Sequence, residues 1–215
     1  MMKQWLLLVV LLGLAVTSGC QQTGYLMYLF APAVPVKPVP AEYEGLEGHS
    51  VAVVVFADQQ VQYEYPFARL TLGSAVSAEL TEQLKDVRVV DVRKVCRYQD
   101  ENLYWETMDK TELARRLQAD YVLMVDLLEY ATREPGSLNL YRGTIAAQPA
   151  LYDAALSEPQ AKVWGGRLTV TYPSGEAGSV PATDDRGIRQ TAERLFARDL
   201  VRKFYKYKPG ADDGT

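Results

Sequence analysis

The chain lacks most of the residues that catalysis and metal binding draw on. It has one histidine, His49, and two cysteines, Cys20 and Cys96. A His/Cys/Cys zinc site cannot be assembled from that inventory, and no cofactor is expected. The patterns GxxxxGK, GxSxG and HExxH are absent, which removes the usual phosphate loop, serine-hydrolase elbow and zinc-protease helix. No strong excess of one charge is present either. The formal net charge is −4, and nucleic-acid binding needs clustered positive charge, so no nucleic-acid partner is expected. Carboxylates are plentiful, but Asp58, Asp100, Glu101, Asp184 and Asp185 read as loop or cap residues. A two-carboxylate hydrolase of a cell wall or polysaccharide stays open as an alternative.

No apolar run reaches the roughly 20 residues that cross a bilayer. Residues 5–16 are apolar except for Gly13, follow the positive Lys3, and have the proportions of a secretion signal. The small residues Thr17, Ser18 and Gly19 lead to Cys20. This tetrapeptide resembles the lipobox of bacterial lipoproteins, although Leu is commoner where Thr17 stands. The resemblance implies removal of residues 1–19 and acylation of the Cys20 thiol. Two or more acyl chains then give stable anchoring, at about 0.8 kcal/mol per buried CH₂. Gln21 stands where Asp often signals inner-membrane retention, so the resemblance implies the outer membrane, facing the periplasm. Cys96 is then left without a disulfide partner and is expected to be a buried, inert thiol.

Residues 20–44 are expected to form the lipid anchor and a tether. Tyr25-Leu26-Met27-Tyr28-Leu29-Phe30 is strongly apolar. It suits a membrane interface, docking on the folded domain, or a strand. Pro32, Pro35 and Pro38 then recur every third residue, the repeat of a polyproline II segment. Ten such residues reach ~30 Å.

Residues 45–208 predict a single α/β (α+β) domain, followed by a loose tail over 209–215. Ser50 to Phe56 is a continuous β-branched run, expected as a strand buried on both faces. Residues 66–85 predict a helix, with Leu72, Val76, Leu80 and Leu84 on one stripe and Pro66 in the first turn. Residues 87–92 predict a short strand. Asp109 and Glu112 are spaced like a capping box, with Met108 and Leu113 as a hydrophobic staple, so a helix is expected to about Gln118. Residues 120–130, 140–152 and 162–172 predict strands, with an edge or bulge at Pro149. A last helix, capped by Thr183, carries an apolar stripe of Ala192, Phe196, Leu200 and Phe204. Arg194, Arg198, Arg202 and Lys206 lie about 200° away, a face expected to be solvated. The order β-α-β-α-β-β-β-α gives a mixed sheet with helices packed on it. Its first three strands should be parallel and its later ones antiparallel.

Three segments carry a second resemblance, with Val51-Ala52-Val53-Val54-Val55-Phe56 the first. The others are Val89-Val90-Asp91 and Leu117-Gln118-Ala119-Asp120-Tyr121-Val122-Leu123. Together with the order of elements across most of residues 50–205, they resemble periplasmic lipoproteins related to CsgG and LpoB. The domain of that superfamily is similar to the N-terminal domain of TolB. Gly often stands in that family where this chain has Gln118. The resemblance implies a non-enzymatic adaptor or assembly role among envelope proteins. An auxiliary role in envelope transport is the alternative, and the oligomeric state is left open.

One surface is a candidate for such binding. The loops after the first two strands carry Tyr63, Tyr65, Tyr98, Tyr104 and Trp105. Parallel strands send both loops off the same edge of the sheet, where open α/β sheets often bind ligands. Aromatic residues anchor many protein interfaces. The competing expectation is that these rings merely cover helix ends. His49 and Cys96 form no recognisable catalytic spacing.

Overall fold

The computed structural model describes residues 37–134, 136, 140–174, 180–181 and 185–210. The expected signal, Cys20, the 25–30 hexamer, Thr183 and Asp184 lie outside the described residues. Among the described residues no helix is long and apolar enough to cross a membrane.

Pro38–Lys208 forms one compact unit. It begins with β1 (Ser50–Phe56), α1 (Gln59–Glu64) and α2 (Ala68–Gln83). Next come β2 (Arg88–Val89), α3 (Val92–Glu101), a 3₁₀ turn (Trp105–Thr107) and α4 (Lys110–Leu117). The chain then forms β3 (Tyr121–Arg133), β4 (Leu140–Asp153), β5 (Lys162–Gly165), β6 (Leu168–Tyr172) and β7 (Val180–Pro181), and closes with α5 (Asp185–Val201). The strand order is β2-β1-β3-β4-β5, with β6 and β7 also paired to β4. β2, β1 and β3 are parallel, and β4 pairs antiparallel with β3, β5, β6 and β7. This is the mixed sheet that the order of elements predicts.

Helices cover both faces, so β1 is buried throughout its interior, as its unbroken apolar run requires. Its side chains alternate. Val51, Val53 and Val55 enter the larger core with α2 and α5, while Ala52 and Val54 enter a smaller one with α3 and α4. The stripe Leu72, Val76, Leu80 and Leu84 is buried on the larger side, as are Ala192, Phe196, Leu200 and Phe204.

Several boundaries differ from the sequence reading. The helix expected from Pro66 begins at Ala68, and a short separate helix precedes it. Asp58 starts α1 by accepting from the Val61 amide at 2.8 Å. The strand expected over 87–92 ends at Val89, because Asp91 caps α3 through the Arg93 amide at 2.9 Å. Pro149 was expected at an edge or bulge, yet β4 is an interior strand. β6 pairs with β4 as far as Ala147, and β5 pairs from Ala150. Pro149 lies between the two, so its missing amide breaks no ladder, and its carbonyl accepts from Gly166 at 3.0 Å. The strand expected over 162–172 is therefore two.

α5 ends at Val201, sooner than its stripes suggest. Arg202 consequently leaves the solvated face. It is buried under the Tyr207 ring, 4.7 Å from the ring centre, and 3.6 Å from Asp199. Residues 38–44, read as the end of the tether, belong to the folded unit. Val39 bridges Tyr207, and Glu42 accepts from Lys203 at 2.7 Å and from the Trp164 indole at 2.9 Å. Those two donors hold the Glu42 carboxyl below its ordinary range.

Candidate functional site

The carboxyl end of β1 lies beside the middle of β3, where Phe56 pairs with Asp126. α3 runs toward this end of β1. The amide of buried Gln99 donates to the Val55 carbonyl at 3.0 Å, and Asp100 accepts from Arg69 at the start of α2 at 2.6 Å. Trp105 follows, 5% exposed, with its ring 6.1 Å from Phe56.

A groove of about 370 Å³ opens there. Phe56, Trp105, Met124, Leu128, Tyr152 and the Lys110–Asp126 pair of residues line it. Asp126 is half-buried, and desolvation raises its carboxyl above the ordinary value, against the pull of Lys110 and Lys162. Burial lowers the Lys110 ammonium, with Asp126 opposing. Lys110 donates to the Glu106 carbonyl at 2.6 Å and the Met108 carbonyl at 3.1 Å. Around the groove stand Leu103, Tyr104 and Leu128, which are 81%, 82% and 53% exposed. Tyr63 and Phe67, on either side of the α1–α2 connection, are exposed as well.

The five aromatic residues selected from sequence therefore divide. Trp105 is a buried wall of the groove. Half-buried Tyr98 packs against the smaller core and donates to the Met108 sulfur at 3.7 Å. Tyr104 and Tyr63 point to solvent. Tyr65 packs on the other side of the sheet, edge-on to Tyr130 at 5.0 Å, and its hydroxyl lies 3.2 Å from that of Thr132. All five lie near one edge of the sheet, yet they do not share one face. Leu103, Leu128 and Phe67 were missed, because a lone exposed leucine or phenylalanine has no sequence signature. Their position on the edge is purely tertiary.

Several of the remaining sequence candidates have local structural partners. Asp58 caps α1, Asp100 pairs with Arg69, and Asp185 lies 3.5 Å from Arg189. Asp109 accepts from the Thr111 and Glu112 amides at 2.8 and 3.1 Å. Glu112 turns to Arg115 and Arg116 instead of reaching back, so only half of the expected capping box is made. Cys96 is free and half-buried, with its thiol pushed up by burial. His49 lies 3.6 Å from Asp120 and edge-on to Tyr121. Among the described residues no group of three His, Cys, Asp or Glu side chains could hold a metal.

The segment Leu117 to Leu123 also resolves into structural roles. Asp120 accepts from the Ser50 amide at 2.8 Å and the Ser50 hydroxyl at 2.7 Å, which ties β3 to the start of β1. These bonds hold its carboxyl below the ordinary range. Gln118 is left-handed, with φ 59°, at the end of α4. That conformation favours Gly, so Gln118 carries a side chain where glycine is the least strained residue.

No protein-family model matches the chain, and no curated protein matches it. Solved structures do. The PelC dodecamer from Paraburkholderia phytofirmans is 16% identical over 80% of this chain and 99% of its own, with a TM-score of 0.46. Lipoprotein GNA1162 from Neisseria meningitidis is 16% identical over 71% of this chain and 98% of its own, with a TM-score of 0.42. The uncharacterized lipoprotein B from Nitrosomonas europaea is 14% identical over 80% of this chain and 87% of its own, with a TM-score of 0.29. Bacterial lipoproteins are thus among the solved structures to which this chain is similar.

Proposed function

We propose that the chain is a bacterial envelope lipoprotein, acylated at Cys20, that acts as a non-enzymatic adaptor or assembly factor for other envelope proteins. On this reading it is anchored in the outer membrane, faces the periplasm and is related to the CsgG and LpoB group. The signal-like run over 5–16 and the Thr17-Ser18-Gly19-Cys20 tetrapeptide support the anchor. The binding role rests on one observation. Among the described residues the five most exposed large apolar side chains are Tyr63, Phe67, Leu103, Tyr104 and Leu128, all carried by segments that leave or pass the carboxyl end of β1. Solvent-exposed apolar residues gathered in one region mark interaction surfaces. Early in the compact unit Val39 bridges Tyr207, and Tyr43 donates to Tyr121 at 3.2 Å near the start of β3.

A photo-crosslinking residue at position 104 of the anchored, full-length chain tests the binding surface. Leu156 is the control. It is also exposed, but it follows Ala154, whose amide donates to the Asp120 carbonyl near the start of β3. Discrete protein adducts are expected from position 104 and not from 156. Equal yields from both, or none from 104, would reject the adaptor edge. For the anchor, Cys20→Ser should abolish metabolic labelling with palmitate and block processing at the 19–20 bond. Unchanged labelling would reject lipidation at Cys20.

A further inference from the structure

A second cavity lies on the opposite side of the sheet, between the start of α2 and the first turns of α5. Its volume is about 300 Å³. Its floor includes Glu193, which is 4% exposed and lies on α5 beside the buried Ala192. One carboxylate oxygen, Oε1, accepts from the Tyr130 hydroxyl of β3 and from the Thr71 hydroxyl of α2, each at 2.5 Å. Among the described residues Oε2 has no hydrogen-bond partner. Glu193 is itself one of the residues that line the cavity.

The choice of an acid here is not explained by these contacts. Two hydroxyl donors need only an acceptor, and a Gln carbonyl would satisfy them equally. A desolvated carboxylate is costly unless a cation answers it. Arg189, one turn earlier on α5, is ion-paired instead with Asp185 at 3.5 Å. Among the described residues no cation lies within ion-pair distance of Glu193.

The rest of the cavity narrows the ligand. Tyr65 and Phe67 supply aromatic walls, and Phe67 is largely solvent-facing. Arg186 and Arg189 belong to the same lining. A simple cation would meet repulsion from those arginines. A molecule carrying an ammonium and a carboxylate a few ångströms apart meets a complementary group for each, because an arginine engaged at one nitrogen keeps further donors for a carboxylate. We infer that this cavity binds a free α-amino acid with an apolar side chain. Its ammonium sits against Glu193 Oε2, its carboxylate lies toward Arg189, and its side chain packs on Tyr65 and Phe67. The volume is at the small end of ligand pockets, which suits one amino acid and not a long peptide.

The test is calorimetric titration of the detergent-solubilised full-length chain with L-phenylalanine. Saturable binding is expected. N-acetyl-L-phenylalanine lacks the ammonium and L-phenylalaninol lacks the carboxylate. Each should bind roughly tenfold more weakly or worse, the scale of one lost charge-assisted contact. Glu193→Gln keeps an acceptor for Tyr130 and Thr71 and should weaken L-phenylalanine by a similar factor while leaving N-acetyl-L-phenylalanine unchanged. Phe67→Ala, at an exposed position, should weaken L-phenylalanine without altering the far-ultraviolet circular dichroism, which keeps the test open if Glu193→Gln does not fold. No saturable heat up to the solubility limit of L-phenylalanine overturns the inference. Equal affinity for L-phenylalanine and its N-acetyl derivative overturns it too.

Discussion

The two faces of the sheet are closed to different degrees. On one, α2 and α5 pack on each other and on β1, β3 and β4, and the core runs from Leu46 through Phe196 to Phe204. On the other, the short α3 and α4 cover Ala52, Val54, Val122 and Met124, and the cover stops at Trp105. Beyond it, Asp126 and Lys110 are only half-buried and Leu128 is exposed. Two long helices close a face; two short ones leave its carboxyl edge open. Stability should therefore reside mainly on the first face, while the second supplies surface for contacts with other molecules. The closed face has its own exception in Glu193, an acid inside the layer that holds the fold together.

The sharpest way to break this comparison is to cut into each core. Phe196→Ala should lose about 3–5 kcal/mol of unfolding free energy in urea titration. Trp105→Ala should lie near the lower end of that range, at about 3 kcal/mol, because the groove beside it can collapse. A larger loss at Trp105 than at Phe196 would reverse the assignment of the two faces. Next in size, Tyr130→Phe removes one of the two hydroxyls that bind Glu193. It should cost about 1.5–3 kcal/mol, the range for hydrogen bonds to charged groups.

A gain should follow on the second face. Gln118→Gly relieves a left-handed side-chain-bearing residue at the end of α4 and should stabilise by about 1 kcal/mol or less. It gives up the 3.4 Å contact from Lys94. A loss of stability would mean that this contact outweighs the backbone strain.

The smallest effect concerns pH. Burial raises the Asp126 carboxyl in the folded state, above an unfolded value of roughly 3.9. The folded state then holds that proton more tightly than the unfolded chain. Asp126 therefore adds stability as pH falls through its folded pKa toward its unfolded one, and that contribution is lost as pH rises. Asp126→Asn should flatten this rise in the mildly acidic window. Asp120, lowered by its Ser50 bonds, acts in the opposite sense. Its contribution is present above its unfolded pKa and is lost as pH falls through its folded one, so Asp120→Asn should soften the decline at the acid end. Thermal unfolding across pH for both variants separates the two.

The strongly patterned elements were readable from residues alone. The β-branched run of β1 and the i+4 stripes of α2 and α5 each occupy one buried surface, so their period reports their geometry directly. α3 was missed because six of its ten residues are polar or charged, Gln99 among them, and no long apolar stripe announces it. Asp91 as a cap, followed by Val92, Val95, Cys96 and Gln99 on one side of a helix, was the available signal, with Gln standing where an apolar residue is usual. Gln99 is buried because its amide reaches the Val55 carbonyl, a partner 44 residues away that no local window contains. The candidate edge was half legible. Parallel strands predicted where the loops would emerge, but Tyr65 and Trp105 went to opposite faces of the sheet, and the exposed leucines carried no mark.

By itself the sequence determined the signal-like start, the Cys20 context, the mixed α/β order and the residues that line the larger core. Those properties depend on local composition and on periods of two and 3.6 residues, which are written along the chain. The tertiary structure alone decided that Arg202 is buried, that Pro149 can occupy an interior strand, and that a carboxylate from α5 meets hydroxyls from α2 and β3. Each of these depends on which distant segments lie alongside one another, a relation set by how helices and strands of particular lengths close over a sheet.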